Sequence, residues 1–146
     1  MKILYVEENP SHRELTENHL SQVGHQVDLY LPEESIFGSN PTNKDKEILT
    51  FANETDLVGI LTAGNYNAAV LNAEAFRQGD VTEIFVKRYL DAISSSEYSG
   101  KVVVTTTLAS RYNEAFFGEN NLESVEIVGK PFSFHLLDEA LEDKVN

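Results

Sequence analysis

The sequence predicts an α/β protein whose core is a parallel β-sheet covered by helices. Four short apolar runs, rich in β-branched residues and bounded by turn signals, have the composition of strands buried on both faces. Such strands occur in parallel sheets, because crossover helices cover both sides of the sheet. Segments with helical spacing of apolar residues lie between the runs, which gives the alternating order of this fold class. The four runs are residues 3–6, 57–61, 102–107 and 125–128.

Composition predicts one domain, residues 1–146, and excludes several kinds of function. The chain has 11 Lys+Arg against 24 Asp+Glu, a formal net charge of -13. Such a surface repels nucleic acids and anionic membranes, so we expect no direct contact with either. There is no cysteine, which excludes thiolate metal sites and a cysteine nucleophile. Without a secretory signal pattern or an apolar run of ~20 residues, the expected location is the cytoplasm.

The first run leads into a helix and then a second strand. Asn9 or Ser11 can cap the helix, and Ser11 with Glu14 has the spacing of a capping box. The predicted apolar stripe of the helix is Leu15, His19, Leu20 and Val23, and Gly24 ends it. The second strand has Val27, Leu29 and Leu31 alternating with polar residues, which favours an edge position in the sheet.

The middle of the chain has weaker patterns. Residues 32–43 have the composition of a loop, and residues 45–52 are predicted as a short helix before the strand at 57–61. For residues 68–76, AAVLNAEAF, a helix is preferred and a displaced strand is the alternative. A strong helix follows to about Ser94, with Val86, Tyr89, Leu90 and Ile93 at i, i+3, i+4 and i+7.

The last third of the chain has clear patterns again. A short helix at residues 108–117 is predicted between the strands at 102–107 and 125–128. Ser133 caps the final helix, whose apolar stripe is Leu136, Leu137, Ala140 and Leu141.

Polar residues that could perform chemistry follow three of the strands. In parallel sheets the crevice opens beyond the carboxyl ends of the strands, and functional side chains gather there. This rule selects Glu7 and Glu8 after the first strand, residues 105–107 at the end of the fourth, and Lys130 after the last. We expect Lys130 within ion-pairing reach of Glu7 or Glu8, and a salt-bridged cluster is the simplest interpretation of the three residues.

Three segments, ILYVEENPSHRELTENHLSQVGHQV, VVVTTTLA and IVGKPF, together resemble the CheY-like receiver domain of two-component response regulators. The resemblance implies a flavodoxin-like, doubly wound, five-stranded parallel sheet of order 2-1-3-4-5 with helices on both faces. It also implies that Glu7 and Glu8 match the acids that hold Mg²⁺ in receivers, that Thr106 matches the phosphate-binding hydroxyl, and that Lys130 and Pro131 match the lysine and its proline turn. Both acids are a methylene longer than aspartate, so Mg²⁺ binding is expected to be weak, and no cofactor is required.

The chain departs from the receiver pattern at the phosphoacceptor. Receivers take a phosphoryl group onto an aspartate at the end of the third strand. With the strand at 57–61 this position falls on Leu61, or on Thr62 after a slip of one residue. With the strand in AAVLN it falls near Asn72 or Ala73, and no register offers an aspartate. Ile127 also replaces the aromatic switch residue of many receivers.

These features predict a degenerate receiver that does not depend on phosphorylation, has no enzymatic activity and acts by binding a protein. The expected partner is a histidine kinase, an output domain or a second copy of the chain in a homodimer. One alternative is a receiver-like regulator that senses a metal or ligand in the Glu7, Glu8, Thr106 and Lys130 pocket. Another is a small flavodoxin-like domain for a nucleotide or flavin, although acids replace the glycine-rich phosphate loop of such domains. The expected interaction face contains Tyr112, Phe116, Phe117 and Leu137.

Overall fold

A computed structural model describes residues 1–33, 42–43, 46–76, 82–107, 125–130 and 133–142. The described part consists of a parallel sheet, helices and one small antiparallel strand pair. A 3₁₀ turn, Ala73–Phe76, follows the sixth strand. The strands are β1 (Lys2–Val6), β2 (Gln26–Pro32), β3 (Thr42–Asn43), β4 (Lys46–Glu47), β5 (Leu49–Phe51), β6 (Ala68–Asn72), β7 (Lys101–Thr106) and β8 (Val125–Gly129), and the helices are α1 (Pro10–Gln22), α2 (Glu54–Ala63), α3 (Thr82–Ser94) and α4 (Phe134–Leu141).

The main sheet has six parallel strands in the order β5-β2-β1-β6-β7-β8. Its last five strands reproduce the order 2-1-3-4-5, which confirms the predicted fold. The prediction that β2 is an edge strand is wrong, because β5 pairs with it from Tyr30 to Pro32. Phe51 of β5 is fully buried against Phe76 and Tyr89, so hydrophobic burial fixes this additional strand to the sheet.

The helices are divided between the two faces of the sheet. The connection from β1 to β2 leads toward one edge of the sheet, and the connection from β6 to β7 leads toward the other edge. Because both crossovers are right-handed, α1 and α3 lie on opposite faces. Helix α2 contacts α3. Helix α4 contacts α1, where the ring of His19 stacks on Phe134 at 4.3 Å and its Nε2 lies 2.9 Å from Asp138 Oδ1.

The predicted strand at residues 57–61 is wrong, since these residues lie in α2. The Asn53 side chain caps this helix by accepting a hydrogen bond from the backbone N–H of Asp56. Leu57 and Leu61 then share one buried face at helical spacing. Neither Leu61 nor the exposed Thr62 lies at the end of a strand. The prediction that one of them occupies the phosphoacceptor position is therefore wrong.

The central strand of the chain is instead β6, whose five residues are all buried. The preferred helix for AAVLN is therefore wrong, and the alternative of a displaced strand is confirmed. The predicted helix at 45–52 is wrong too, because β4 (Lys46–Glu47) and β5 (Leu49–Phe51) occupy most of that segment. In each case pairing with a neighbouring strand outweighs the local preference.

Helix α1 buries a different face from the one predicted. Asn9 is its cap, and the Asn9 Oδ1 atom accepts hydrogen bonds from the backbone N–H groups of Ser11 and His12. Leu15 and Val23, assigned to the buried stripe, are exposed. The buried residues of this helix are Arg13, Thr16 and Leu20.

The other two helices agree better with the sequence. The four predicted core residues of α3 are buried, and the Ser133 hydroxyl caps α4. Leu137 is fully buried in α4, so its assignment to an interaction face is wrong, whereas Leu136 is 48% exposed. The predicted helix at 108–117, with Tyr112, Phe116 and Phe117, and also Pro131, lie outside the described residues. Within the described residues, every helix is too short or too polar to cross a membrane.

Gly59 in α2 and Gly64, which follows its last residue, provide a test of the packing at the end of this helix. A Cβ atom on Gly64 would lie 2.8 Å from the Ile60 carbonyl oxygen and closer still to the Tyr66 ring, whereas a Cβ atom on Gly59 would meet nothing within 4 Å. We expect Gly64→Ala to lower the free energy of unfolding by about 1–3 kcal/mol. Gly59→Ala should raise it by about 0.5–1 kcal/mol through helix propensity. Urea denaturation of both variants checks this, and equal effects would contradict the described end of α2.

Candidate functional site

The candidate site lies where the carboxyl ends of β1, β6, β7 and β8 meet. Strand order reverses between β1 and β6, so a crevice opens there. Glu7 and Glu8 follow β1, Asn72 ends β6, Thr105 is the last residue but one of β7, and Lys130 follows β8. The fold therefore brings to one sheet edge residues that are far apart in the sequence.

Glu7 is the centre of this site and is completely buried. Its Oε2 atom accepts hydrogen bonds from the backbone N–H of Asn9 at 3.1 Å and from Asn72 Nδ2 at 2.9 Å. Its Oε1 atom forms an ion pair with Lys130 Nζ. Both carboxylate oxygens are thus engaged by groups of the chain itself.

Asn72 connects the two acids to the neighbouring strand. It is 1% exposed, and its Nδ2 atom donates to Glu8 Oε2 at 2.5 Å as well as to Glu7. Its Oδ1 atom accepts from the Thr105 hydroxyl at 3.2 Å. A carboxylate can only accept and an amide N–H can only donate, so this orientation of the carboxamide is the one that the network allows.

Lys130 closes the site from the β8 side. Its backbone N–H donates to the carbonyl oxygen of Thr106 at 2.7 Å, and its Nζ atom reaches both Glu7 and His12 Nδ1, the latter at 3.2 Å. The ion pair expected from the sequence is present. The hydroxyl that contacts Asn72 is that of Thr105, and Thr106 is fully buried beside it.

Sequence reasoning missed two residues that surround this network. Arg13 is 2% exposed, and its Nη1 atom donates to the Glu7 carbonyl oxygen at 3.0 Å. Glu74 accepts hydrogen bonds from the backbone N–H and hydroxyl of Thr107, which ties the 3₁₀ turn to the end of β7. Periodicity could not identify Arg13, because an arginine in an amphipathic helix is normally assigned to the solvent side.

Burial, and then the proximity of Glu8, raise the pKa of Glu7 to about 7, although Lys130 opposes the change. Burial also lowers the pKa of Arg13, although Glu7 acts in the opposite direction. The pKa of Tyr5, which lies on β1, is raised by burial and then by Glu7. The electrostatics of this edge therefore centre on one carboxyl group that changes charge near neutral pH.

The donor set does not fit Mg²⁺. That ion takes oxygen ligands in nearly octahedral geometry. Here the oxygens of Glu7 accept from an ammonium and two N–H groups, and the Asn72 amide turns its nitrogen toward the acids. Across the described ranges of the chain, no group of three or more His, Cys, Asp or Glu side chains is arranged to hold a metal ion.

The raised pKa of Glu7 predicts a pH dependence of stability. A carboxyl group that binds its proton more tightly in the folded state stabilises the protein fully below its ordinary pKa of 4.5, and this contribution is lost as pH rises through about 7. We expect the thermal midpoint of Glu7→Gln to fall less than that of the wild type between these pH values. Glu97→Gln, at an exposed position, is the matched control and should follow the wild type. Parallel curves for all three proteins would contradict the prediction.

Comparison with known proteins supports the fold. No family model matches the chain, and no curated protein matches it. Among solved structures, it is similar to a sensor protein from Polaromonas sp. JS666, with 16% identity, a TM-score of 0.62, and coverage of 96% of this chain and 91% of that one. The response regulator TrrA from Thermotoga maritima, in complex with Mg²⁺-BeF, gives 20% identity, a TM-score of 0.58, and coverage of 94% and 93%.

A third similar structure is the receiver domain of the sensor histidine kinase PA1611 from Pseudomonas aeruginosa PAO1. The identity is 19%, the TM-score is 0.58, and the alignment covers 96% of this chain and 93% of that one. That domain has a magnesium ion coordinated in its active site cleft. The chain therefore has the fold of response regulator receiver domains over nearly its whole length.

Proposed function

We propose that this protein is a signalling module of the receiver type that works without phosphorylation and acts through contact with another protein. The observation that carries the proposal is the position of Asn72 at the end of β6, where its carboxamide forms hydrogen bonds with both acids and with Thr105. A receiver needs a carboxylate nucleophile at this point. A carboxamide cannot form an acyl phosphate.

The occupied pocket supports the same proposal. Lys130 is paired with Glu7 rather than left for a phosphoryl group, and the Asn72 nitrogen fills the space between the acids. A module whose pocket groups are paired with one another takes up no phosphoryl charge that could drive a switch. Its conformation is then constant, or it is set by the differential affinity of a partner. No catalysis is required for this role.

The surface formed by β8 and α4 is the proposed contact face. A groove of about 510 Å³ lies between them, and Ile127, Leu136 and Ala140 contribute to its lining. Leu136 is one of the few large apolar side chains that are exposed in the described part of the chain. We propose a second copy of the chain as its partner.

The first test is treatment of the full chain with a small phosphodonor and Mg²⁺. The intact mass of the wild type should not change, because the chain has no acceptor carboxylate at the end of β6. Asn72→Asp restores that carboxylate and is the comparison variant, expected to gain about 80 Da as a phosphate that hydroxylamine removes. A labile phosphate on residues 68–76 of the wild type would refute the proposal.

The second test concerns the contact face. We expect Leu136→Asp to shift sedimentation toward the monomer, since a charge replaces an apolar side chain in the proposed interface. Leu15→Asp is the matched control, because Leu15 is also exposed but lies on α1. Circular dichroism should show that both variants are folded. A wild type that stays monomeric at high concentration would rule out the homodimer.

A further inference from the structure

Strand β8 forms one edge of the main sheet, and among the described residues no strand lies beyond it. The backbone N–H of Lys130 donates to the carbonyl oxygen of Thr106, so it points toward β7. The backbone groups of successive residues point alternately to the two sides of a strand, so those of Val125, Ile127 and Gly129 point away from β7. These three residues therefore carry backbone donors and acceptors along the outer side of the sheet.

The edge at β8 lacks the features that usually prevent the addition of another strand. Edge strands are commonly protected by shortness, proline, lysine or a bulge. β8 has five residues without proline or lysine, and its register with β7 is continuous. Its one ionisable side chain, Glu126, lies 3.7 Å from Lys101 Nζ, so an opposite charge is already beside it. The other edge strand, β5, has only three residues, so β8 is the edge suited to accept a strand.

We propose that β8 of one copy pairs antiparallel with β8 of a second copy, so that the two sheets become one continuous sheet. This inference rests on the contact face proposed above, and it assigns the backbone of β8 as the part that makes the contact. A two-fold axis perpendicular to the sheet keeps α4 of both copies on the same face, where the grooves beside β8 adjoin. The exposed Leu136, which lines this groove, then belongs to the same interface.

The spacing of the outward-pointing residues fits such an axis. They are centred on Ile127, which faces its own copy, while Val125 faces Gly129 of the second copy. In an antiparallel ladder, residues that face each other in this way exchange two hydrogen bonds. Between these pairs Glu126 lies opposite Val128 of the second copy, so no two carboxylates oppose one another. The contact closes as a dimer, because it uses the β8 edge of both copies and leaves only the short β5 edges outside.

Hydrogen–deuterium exchange of the wild type, read residue by residue at low and high protein concentration, tests the proposal. The amides of Ile127 and Gly129 should exchange more slowly at high concentration, by about tenfold or more, because strand pairing gives them hydrogen bonds. The amide of Lys130 is the internal control, since it is bonded to Thr106 within one copy and should change little. Moderate salt is used, because the net charge of -13 on each copy otherwise opposes association.

Single-cysteine variants give a second measurement, since the chain has no cysteine of its own. A short bismaleimide should join Ile127→Cys to its twin, because residues paired in this way lie roughly 5.5 Å apart at Cα. Leu15→Cys, at an exposed position on α1, is the matched control and should stay unlinked. Equal cross-linking of the two variants would overturn pairing centred on Ile127.

A dimer whose Ile127 and Gly129 amides exchange as fast as in the monomer overturns this inference alone, and a contact between side chains then remains. Protection that is the same at every concentration also overturns it, because the edge is then covered within one copy. A wild type that stays monomeric removes both this inference and the proposed homodimer. These three results come from the wild type, so they do not depend on the folding of a variant.

Discussion

The buried carboxylate of Glu7 is the group on which the arrangement of the whole carboxyl edge depends. A carboxylate removed from water is costly unless other groups supply both opposite charge and hydrogen bonds. Here the charge comes from Lys130 after β8, and the N–H groups come from Asn72 at the end of β6 and from the backbone at the start of α1. Since these donors belong to three different elements, satisfying one side chain fixes the positions of three chain segments. Loss of any one donor would leave a buried charge incompletely paired.

The carboxamide of Asn72 is matched to this environment in a way that a carboxylate would not be. It donates to Glu7 and Glu8 and accepts from Thr105, whereas a carboxylate could only accept and would add a third negative group beside two acids. A pocket with two acids, one lysine and one amide satisfies its own polar groups. The same fold with an acid at this position has an unbalanced pocket, which is the condition that favours an added cation. Replacing Asn72 by an acid would thus change a pocket whose polar groups bind one another into a pocket suited to binding cations.

The elements at the two ends of the chain and half of the site could be predicted from the sequence, while the elements between residues 45 and 76 could not. β1, β7, β8 and α3 have a single strong pattern each, and Glu7, Glu8 and Lys130 could be found because they directly follow such strands. The strand β6 begins with Ala68 and Ala69, whose local preference favours a helix, and the apolar run that begins at Leu57 imitates a strand. Only the pairing of residues 68–72 with β1 and β7 decides which of the two segments is the strand. Asn72 and Thr105 became partners once that pairing was known, and Arg13 gave no signal because its burial depends on Glu7.

The additional strand β5 changes how the sheet ends. Without it, all seven residues of β2 would lie at the edge of the sheet, whereas β5 pairs with the last three of them, Tyr30 to Pro32. With it, the outermost strand on this side has only three residues, and Phe51 anchors it from within. Short edge strands offer little template for another chain to add to the sheet. This segment therefore limits edge-to-edge aggregation at the carboxyl-terminal end of β2.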